Sequence, residues 1–437
     1  MRKKLILLAV FIPVVCLLMA FTYNLPPVHD HLGWRVDALV SEIKYALNPP
    51  EQVIFVPQDQ PARTQLPTPV VHQVATAEPT AADVASGPSP TPPASPTPLP
   101  TPTPLPATVK LKGVVHEWQQ WNNCGPANLA MALSYWGWEG DQRDTAAYLK
   151  PNPRDKNVMP YEMANFVNEK TGLKAILRVG GDLERLKALI AAGFPVIVEK
   201  GFEGPKFDGW MGHYEVITGY DDAKSHVIAQ DSYEGPGENV LVSYDNLLKN
   251  WLAFDGTYIV IYPPEREAEV QAILGADWDT THNYETAAQK SSEDIFASSG
   301  RDQFFAWYDR GTNLMYLQDY TGAADAYDKA FALYPSIPEK ERPWRMVWYQ
   351  TGPYFAYFFT QRYYDTIALA TTTIDTANEP AIEESFFWRG RAFLELYRLD
   401  GKQDELEHAI DDFRAALKWH PDFQPSLEQL QALGVTP

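Results

Sequence analysis

Apolar and polar residues alternate with several different rhythms along this chain, and each rhythm predicts a different kind of element. Arg2, Lys3 and Lys4 precede an uncharged run from Leu5 to Phe21, which ends at the polar Thr22. That run sits at the lower limit for a bilayer span and also suits a signal segment. No small-x-small cleavage site follows it, and Val15 stands before Cys16 where a lipidation signal takes a small residue. Residues 1–22 are therefore expected to be an anchor that stays in place, with a removed signal as the alternative. Basic residues ahead of the run put the bulk of the chain on the outer side. In the juxtamembrane residues 23–60, Leu32 to Leu47 carries apolar residues at helical spacing.

A second region, residues 108–264, opens with a helical stretch at CGPANLAMALSYWGW and has another helix near Asp182 to Ala192. It then turns strand-rich, with strands expected at Pro195–Glu199, His213–Thr218, His226–Gln230, Val240–Val242 and Tyr258–Tyr262. Turn signals such as Gly219-Tyr220-Asp221-Asp222 and Gly235-Pro236-Gly237 separate them. Helices first and an antiparallel sheet afterwards make an α+β pattern.

Residues 265–300 are polar and helix-like, and are expected to be connective. From 301 to 435 the helical spacing carries an internal repeat. Tyr320, Ala323, Tyr327, Ala330 and Pro335 are spaced by three, four, three and five, and Ala409, Phe413, Ala416 and Pro421 reproduce the last three intervals. Trp307 and Gly311 stand upstream of the first set. This arrangement resembles the tetratricopeptide repeat, which implies stacked helical hairpins with a peptide-binding concave side. A degenerate copy is expected around TQRYYDTIALATTTI, and an insertion near Leu399 to Gln403 in the last one.

Composition adds the spacer and excludes some partners. Residues 61–107 turn to Pro, Thr, Ala and Ser, ending in SPTPPASPTPLPTPTPLP. Such a segment builds no core and favours extended polyproline II, so it is expected to hold the α+β region tens of Å from the membrane. The net charge of −20 argues against nucleic acid, because phosphate binding needs clustered Lys and Arg.

The chemistry concentrates around one of the two cysteines. Cys16 lies within the apolar run, which leaves Cys124 without a disulfide partner. Cys124 is followed by Gly125, Pro126 and an almost wholly apolar helix. Proline is tolerated in a first helical turn, so the sulfur sits at a helix N-terminus, where free amides and the macrodipole favour a thiolate. A thiolate nucleophile needs a base or ion-pair partner. Within this domain only His213 and His226 follow it. His213 opens a strand, and Asp231 closes the next one, so an antiparallel hairpin brings them side by side while His226 falls at the far end. Asp231 can then orient the imidazole of His213 toward Cys124. Gln119 and Gln120 are both placed to donate a side-chain amide to an oxyanion, and spacing does not separate them. His213 and His226 lack a cysteine or carboxylate cluster at ligand spacing, so neither a metal nor a cofactor is expected. Trp210 and Phe207 are candidates for side-chain specificity beside the cleft.

The order Gln, Cys-Gly-Pro helix, GHYEVITGY and AQDSY resembles the bacteriocin-processing cysteine peptidases (family thirty-nine). The resemblance implies a papain-like α+β fold with Cys124 as nucleophile, His213 as base and Asp231 as orienting residue. It favours Gln119 as oxyanion donor, since family members without a transporter commonly carry Gln, a variable residue and then WNNCGP. Founding members belong to export transporters and cut after a double glycine, whereas no GxxxxGK[ST] loop exists here. The expected activity is thus cleavage of peptide or protein substrates outside the membrane, with a protein partner held by the repeats. A non-catalytic surface adaptor is the alternative.

Overall fold

Alternation along single strands decides how the central sheet is buried. The computed structural model describes residues 22, 23, 36, 39, 40, 43, 55–58 and 104–437, except 153, 204–208, 234 and 378. The run Leu5 to Phe21, most of Leu32 to Leu47, nearly all of the proline-rich segment and Phe207 lie outside the described residues. Among the described residues no helix is long and apolar enough to cross a membrane. The described residues up to Pro57 and from Pro106 onward belong to one compact unit.

In chain order the first half of the large unit comprises β1 (Thr108–Lys110), α1 (Cys124–Ser134), α2 (Gln142–Leu149), α3 (Pro160–Lys170), β2 (Lys174–Arg178), α4 (Leu183–Ala191), β3 (Val196–Phe202), β4 (Met211–Asp221), β5 (His226–Asp231), β6 (Val240–Ser243), α5 (Tyr244–Trp251) and β7 (Tyr258–Tyr262). All five expected strands are present. The expectation lacked β1, β2, α2, α3 and α5; α2 and α5 run for only eight residues each, too short for their period to stand out. The strands pair antiparallel in the order β2-β7-β3-β4-β5-β6. β4 is long enough to be served twice on one edge, by β3 over Met211–Ile217 and by β1 over Gly219–Asp221.

Both faces of this sheet are covered, which is why its strands read as nearly unbroken apolar runs. Ile259 and Ile261 join a core with Leu129 and Leu133 of α1 and Phe166 of α3. Tyr258, Val260 and Tyr262 point the other way, into a core with Leu189 of α4 and Trp251 of α5.

The remainder is helical: α6 (Glu267–Leu274), α7 (Thr280–Ala297), α8 (Gly300–Tyr316), α9 (Tyr320–Leu333), the short α10 (Met346–Tyr349), α11 (Gly352–Phe359), α12 (Tyr363–Asp375), α13 (Glu383–Asp400), α14 (Gln403–Trp419) and α15 (Gln424–Ala432). The residues expected to be merely connective are packed ones. Asn283 of α7 donates to and accepts from the Val179 backbone at 2.9 and 3.0 Å. In the hairpin α8/α9, a Cβ on Gly311 would lie 2.7 Å from the Tyr327 ring, so only glycine lets these helices meet. Gly390 repeats the device on α13, against Phe413 of α14 at 3.0 Å. The expected insertion falls at the end of α13 and the turn after it.

The helical region shares a core with the sheet domain. Trp210 stacks on Phe254 at 5.6 Å and lies 5.7 Å from Phe305 of α8. Arg345 donates to the Trp210 carbonyl at 2.9 Å. These contacts give the two regions one shared core. Trp210→Ala is accordingly expected to destabilise the fold by about 3–5 kcal/mol, read as a shift of a single urea transition by circular dichroism. Two separated transitions in the parent protein would contradict the shared core.

Candidate active site

The loop 119–123 leads directly into α1, and its backbone is held from below. No side chain caps α1, because Asn123 is engaged elsewhere. Its Oδ1 accepts from the Lys150 ammonium at 3.1 Å, and its Nδ2 donates to Gln142 Oε1 at 3.2 Å. Lys150 also donates to the carbonyls of Trp121 and Asn122, each at 3.1 Å. One buried ammonium thus satisfies three acceptors of the turn that carries Cys124, including Asn122 at a φ of +49°. Burial pulls the Lys150 ammonium down to about 8, against the opposing pull of Asp155 and Cys124. Cys124 itself is a partly exposed free thiol at the first position of α1.

The imidazole reaches this thiol from β4. In the β4–β5 ladder Glu215 lies opposite Asp231 and Asp221 opposite His226. His213 is two residues from Glu215 and so shares its face, diagonal to Asp231. The contact forms: His213 Nε2 lies 3.1 Å from Asp231 Oδ1, and both side chains are buried. With Nε2 engaged, Nδ1 is the ring nitrogen left for the sulfur. Burial alone would pull the His213 imidazolium down, but the Asp231 carboxylate, with the Cys124 sulfur beside the ring, outweighs it and pushes it up to about 10. His226 sits at the opposite end of the hairpin and bonds the Lys224 carbonyl. Phe202 lies over the His213 ring at 5.0 Å and Tyr233 meets Phe202 edge-on at 5.5 Å, which screens the ion pair from water.

Gln119 and Gln120 now separate. Gln119 Oε1 accepts from Ser232 Oγ at 2.8 Å, and the Gln119 amide donates to the Ser232 carbonyl at 2.8 Å. That anchors Gln119 beside Asp231 and leaves its Nε2 without a partner among the described residues. Gln120 instead uses its backbone amide on Gln142 Oε1 at 2.7 Å, and its side chain has no such tie. Ser232 is itself fixed by Asn128 Nδ2 at 3.0 Å, and the same amide reaches the Tyr214 carbonyl at 2.7 Å. Asn128 therefore stitches α1 to β4 and to the end of β5.

The carboxylates of Asp231 and Glu215 and the ring of His213 offer ligand atoms within 4.8 Å of one another. The donor set does not suit a cation, since the Lys200 ammonium pairs with Glu215 and the Tyr233 amide donates to Asp231 Oδ1 at 2.7 Å.

The structure brings Cys124, His213, Asp231 and Gln119 to one place. It does not bring Trp210 there: that ring is 2% exposed and belongs to the core under the helical region, so it cannot meet a substrate. Three supporting residues were missed. Asn128 had a signal, as a lone amide within an apolar helix. Ser232 and Lys150 had none, because their partners come from distant segments.

Residues 111–259 match the model of the Peptidase_C39 like family, and residues 304–337 match the tetratricopeptide repeat. Among solved structures the chain is similar to a protein described as a C39-like peptidase from Bacillus anthracis, at 20% identity, TM-score 0.30, covering 35% of this chain and 96% of that one. A double glycine motif protease from an AMS/PCAT transporter, in complex with the leader peptide, matches at 18% identity and TM-score 0.28, covering 36% and 94%. Xylellain, a cysteine protease from Xylella fastidiosa, matches at 15% identity and TM-score 0.28, covering 36% and 87%. No curated protein matches. The chain thus joins a peptidase-like α+β domain to a helical repeat region.

The geometry predicts two outcomes. A folded-state value for His213 above the unfolded value of about 6.5 means that its charge stabilises the fold fully below that pH. The contribution is lost as pH rises through about 10. Nitrogen NMR of labelled histidine should find His213 protonated at pH 8, and Asp231→Asn should lower its titration by roughly one to three pH units. Lys150→Met should leave that titration in place but slow alkylation of Cys124 at least about ten-fold, because the loop loses its tether.

Proposed function

We propose that the α+β domain is a thiol peptidase acting through an acyl-enzyme on Cys124. The observation that carries this reading is the convergence on Cys124 of a buried His213–Asp231 pair and an anchored Gln119 with an uncommitted amide. In this scheme the Cys124 thiolate attacks a peptide carbonyl carbon. The oxyanion that forms is met by Gln119 Nε2 and the Cys124 backbone amide, preorganised donors that need no rearrangement. The C–N bond breaks as His213 Nδ1 gives its proton to the leaving amine. Water then attacks the thioester, His213 takes its proton, and the acid leaves with the thiolate restored. An amine in place of water gives transpeptidation from the same intermediate. The family match over 111–259 supports this assignment of chemistry.

The repeats are assigned to protein binding, and the basic-then-apolar N-terminus to a membrane anchor that leaves the catalytic unit outside. No step calls for a metal or a cofactor.

Cys124→Ala should abolish cleavage of a general peptide library and should trap the natural substrate. Iodoacetamide should alkylate Cys124 at pH 6 faster than a free thiol. Gln119→Ala should lower kcat by about 10²–10³-fold with KM little changed, while Gln120→Ala should not. Unchanged cleavage by Cys124→Ala would replace the enzyme with the adaptor reading.

A further inference from the structure

Ahead of the proline-rich segment, one side chain of an otherwise exposed strip is buried in the repeats. Phe55 is 7% exposed, whereas Val56 is 60% exposed and Gln58 also faces solvent. Its ring meets Phe331 of α9 edge-on at 5.0 Å and Tyr357 of α11 at 5.9 Å. A cavity beside the ring is walled by Phe55 together with Phe304 of α8 and Leu369 and Thr372 of α12, so the slot spans the first two hairpins. The strip has no regular secondary structure, and Pro57 keeps the residue before it extended. A single buried aromatic ring flanked by exposed residues has the form of a binding anchor, in which one side chain carries most of the contact energy.

The far end of the intervening segment is also tied down. Tyr220 donates to the Pro106 carbonyl at 2.7 Å, and Thr108–Lys110 pairs with β4. Phe55 and Pro106 therefore rest on the same compact unit.

We propose that the slot is a peptide-binding site whose resident ligand is this chain's own strip around Phe55, and that docking closes the proline-rich segment into a loop. Docked, that segment spaces nothing, because the chain enters and leaves it on one body. Released, its 48 residues in polyproline II would add about 150 Å of reach at about 3.1 Å per residue. A partner presenting an extended peptide with one aromatic anchor competes for the slot and so sets the reach. The strip is favoured over a free peptide by its tether, which supplies a high effective concentration.

The test uses the full chain in detergent and a fluorescein-labelled peptide of residues 51–58, EQVIFVPQ. Phe55→Ala should bind this peptide at least ten-fold more tightly than the parent chain, and a peptide with Ala for Phe should not bind. Equal binding by parent and variant, no binding to the folded variant, or indifference to the peptide's Phe overturns the proposal. A second measurement needs no core substitution. Spin labels on unnatural residues at Val56 and Gln361 should give one narrow distance that broadens when unlabelled peptide is added in excess. A broad distribution before any peptide is added also overturns it.

Discussion

The register of β4 against β5 is the constraint on which the rest of this molecule depends. Placing Glu215 opposite Asp231 sets His213 diagonal to Asp231 on one face, and a slip of a single residue would send one of the two to the other side of the sheet. The same strand offers its Tyr214 carbonyl to Asn128, which holds the helix that opens with Cys124 against it. Its other edge is shared by β3 and β1, so the strand that carries the imidazole is hydrogen-bonded along both sides. An imidazole placed this way has little freedom, which suits the proton transfer proposed for it.

Around that strand the site is a polar network inside an apolar shell. Asn128, Ser232 and Gln119 form a chain that ends on an uncommitted amide, and Lys150 holds the opposite side of the loop through three carbonyl and amide oxygens. Buried polar groups are costly unless paired, so each member depends on the others. Lys200 plays a similar part behind the site, offsetting the carboxylate of Glu215 next to that of Asp231.

The helical region matters to the site through shared packing. Trp210 and Phe254 belong to the same hydrophobic cluster as Phe305 and Tyr327, so the hairpins pack against the start of β4. Phe55, which precedes the proline-rich segment, joins that cluster, and the proposed docking rests on this contact. Polyproline composition predicts stiffness and length, but what the ends of such a segment touch is a matter of tertiary contact.

Much of the site was legible because its side chains stand in local patterns. A cysteine opening an apolar helix with Gly-Pro directly behind it, and a histidine and aspartate at matched ends of a hairpin, are visible in spacing alone. The repeat was legible for a similar reason, since Gly311 and Tyr327 must meet across one hairpin. Spacing did not separate Gln119 from Gln120 and the family resemblance favoured Gln119, but the physical distinction rests on Ser232, more than a hundred residues away. Lys150, Trp210's place in the core and the docking of Phe55 also needed the fold. Period and capping are short-range physics that a sequence determines by itself. Which distant side chain answers a buried carbonyl or fills a slot is decided only when the chain has closed on itself.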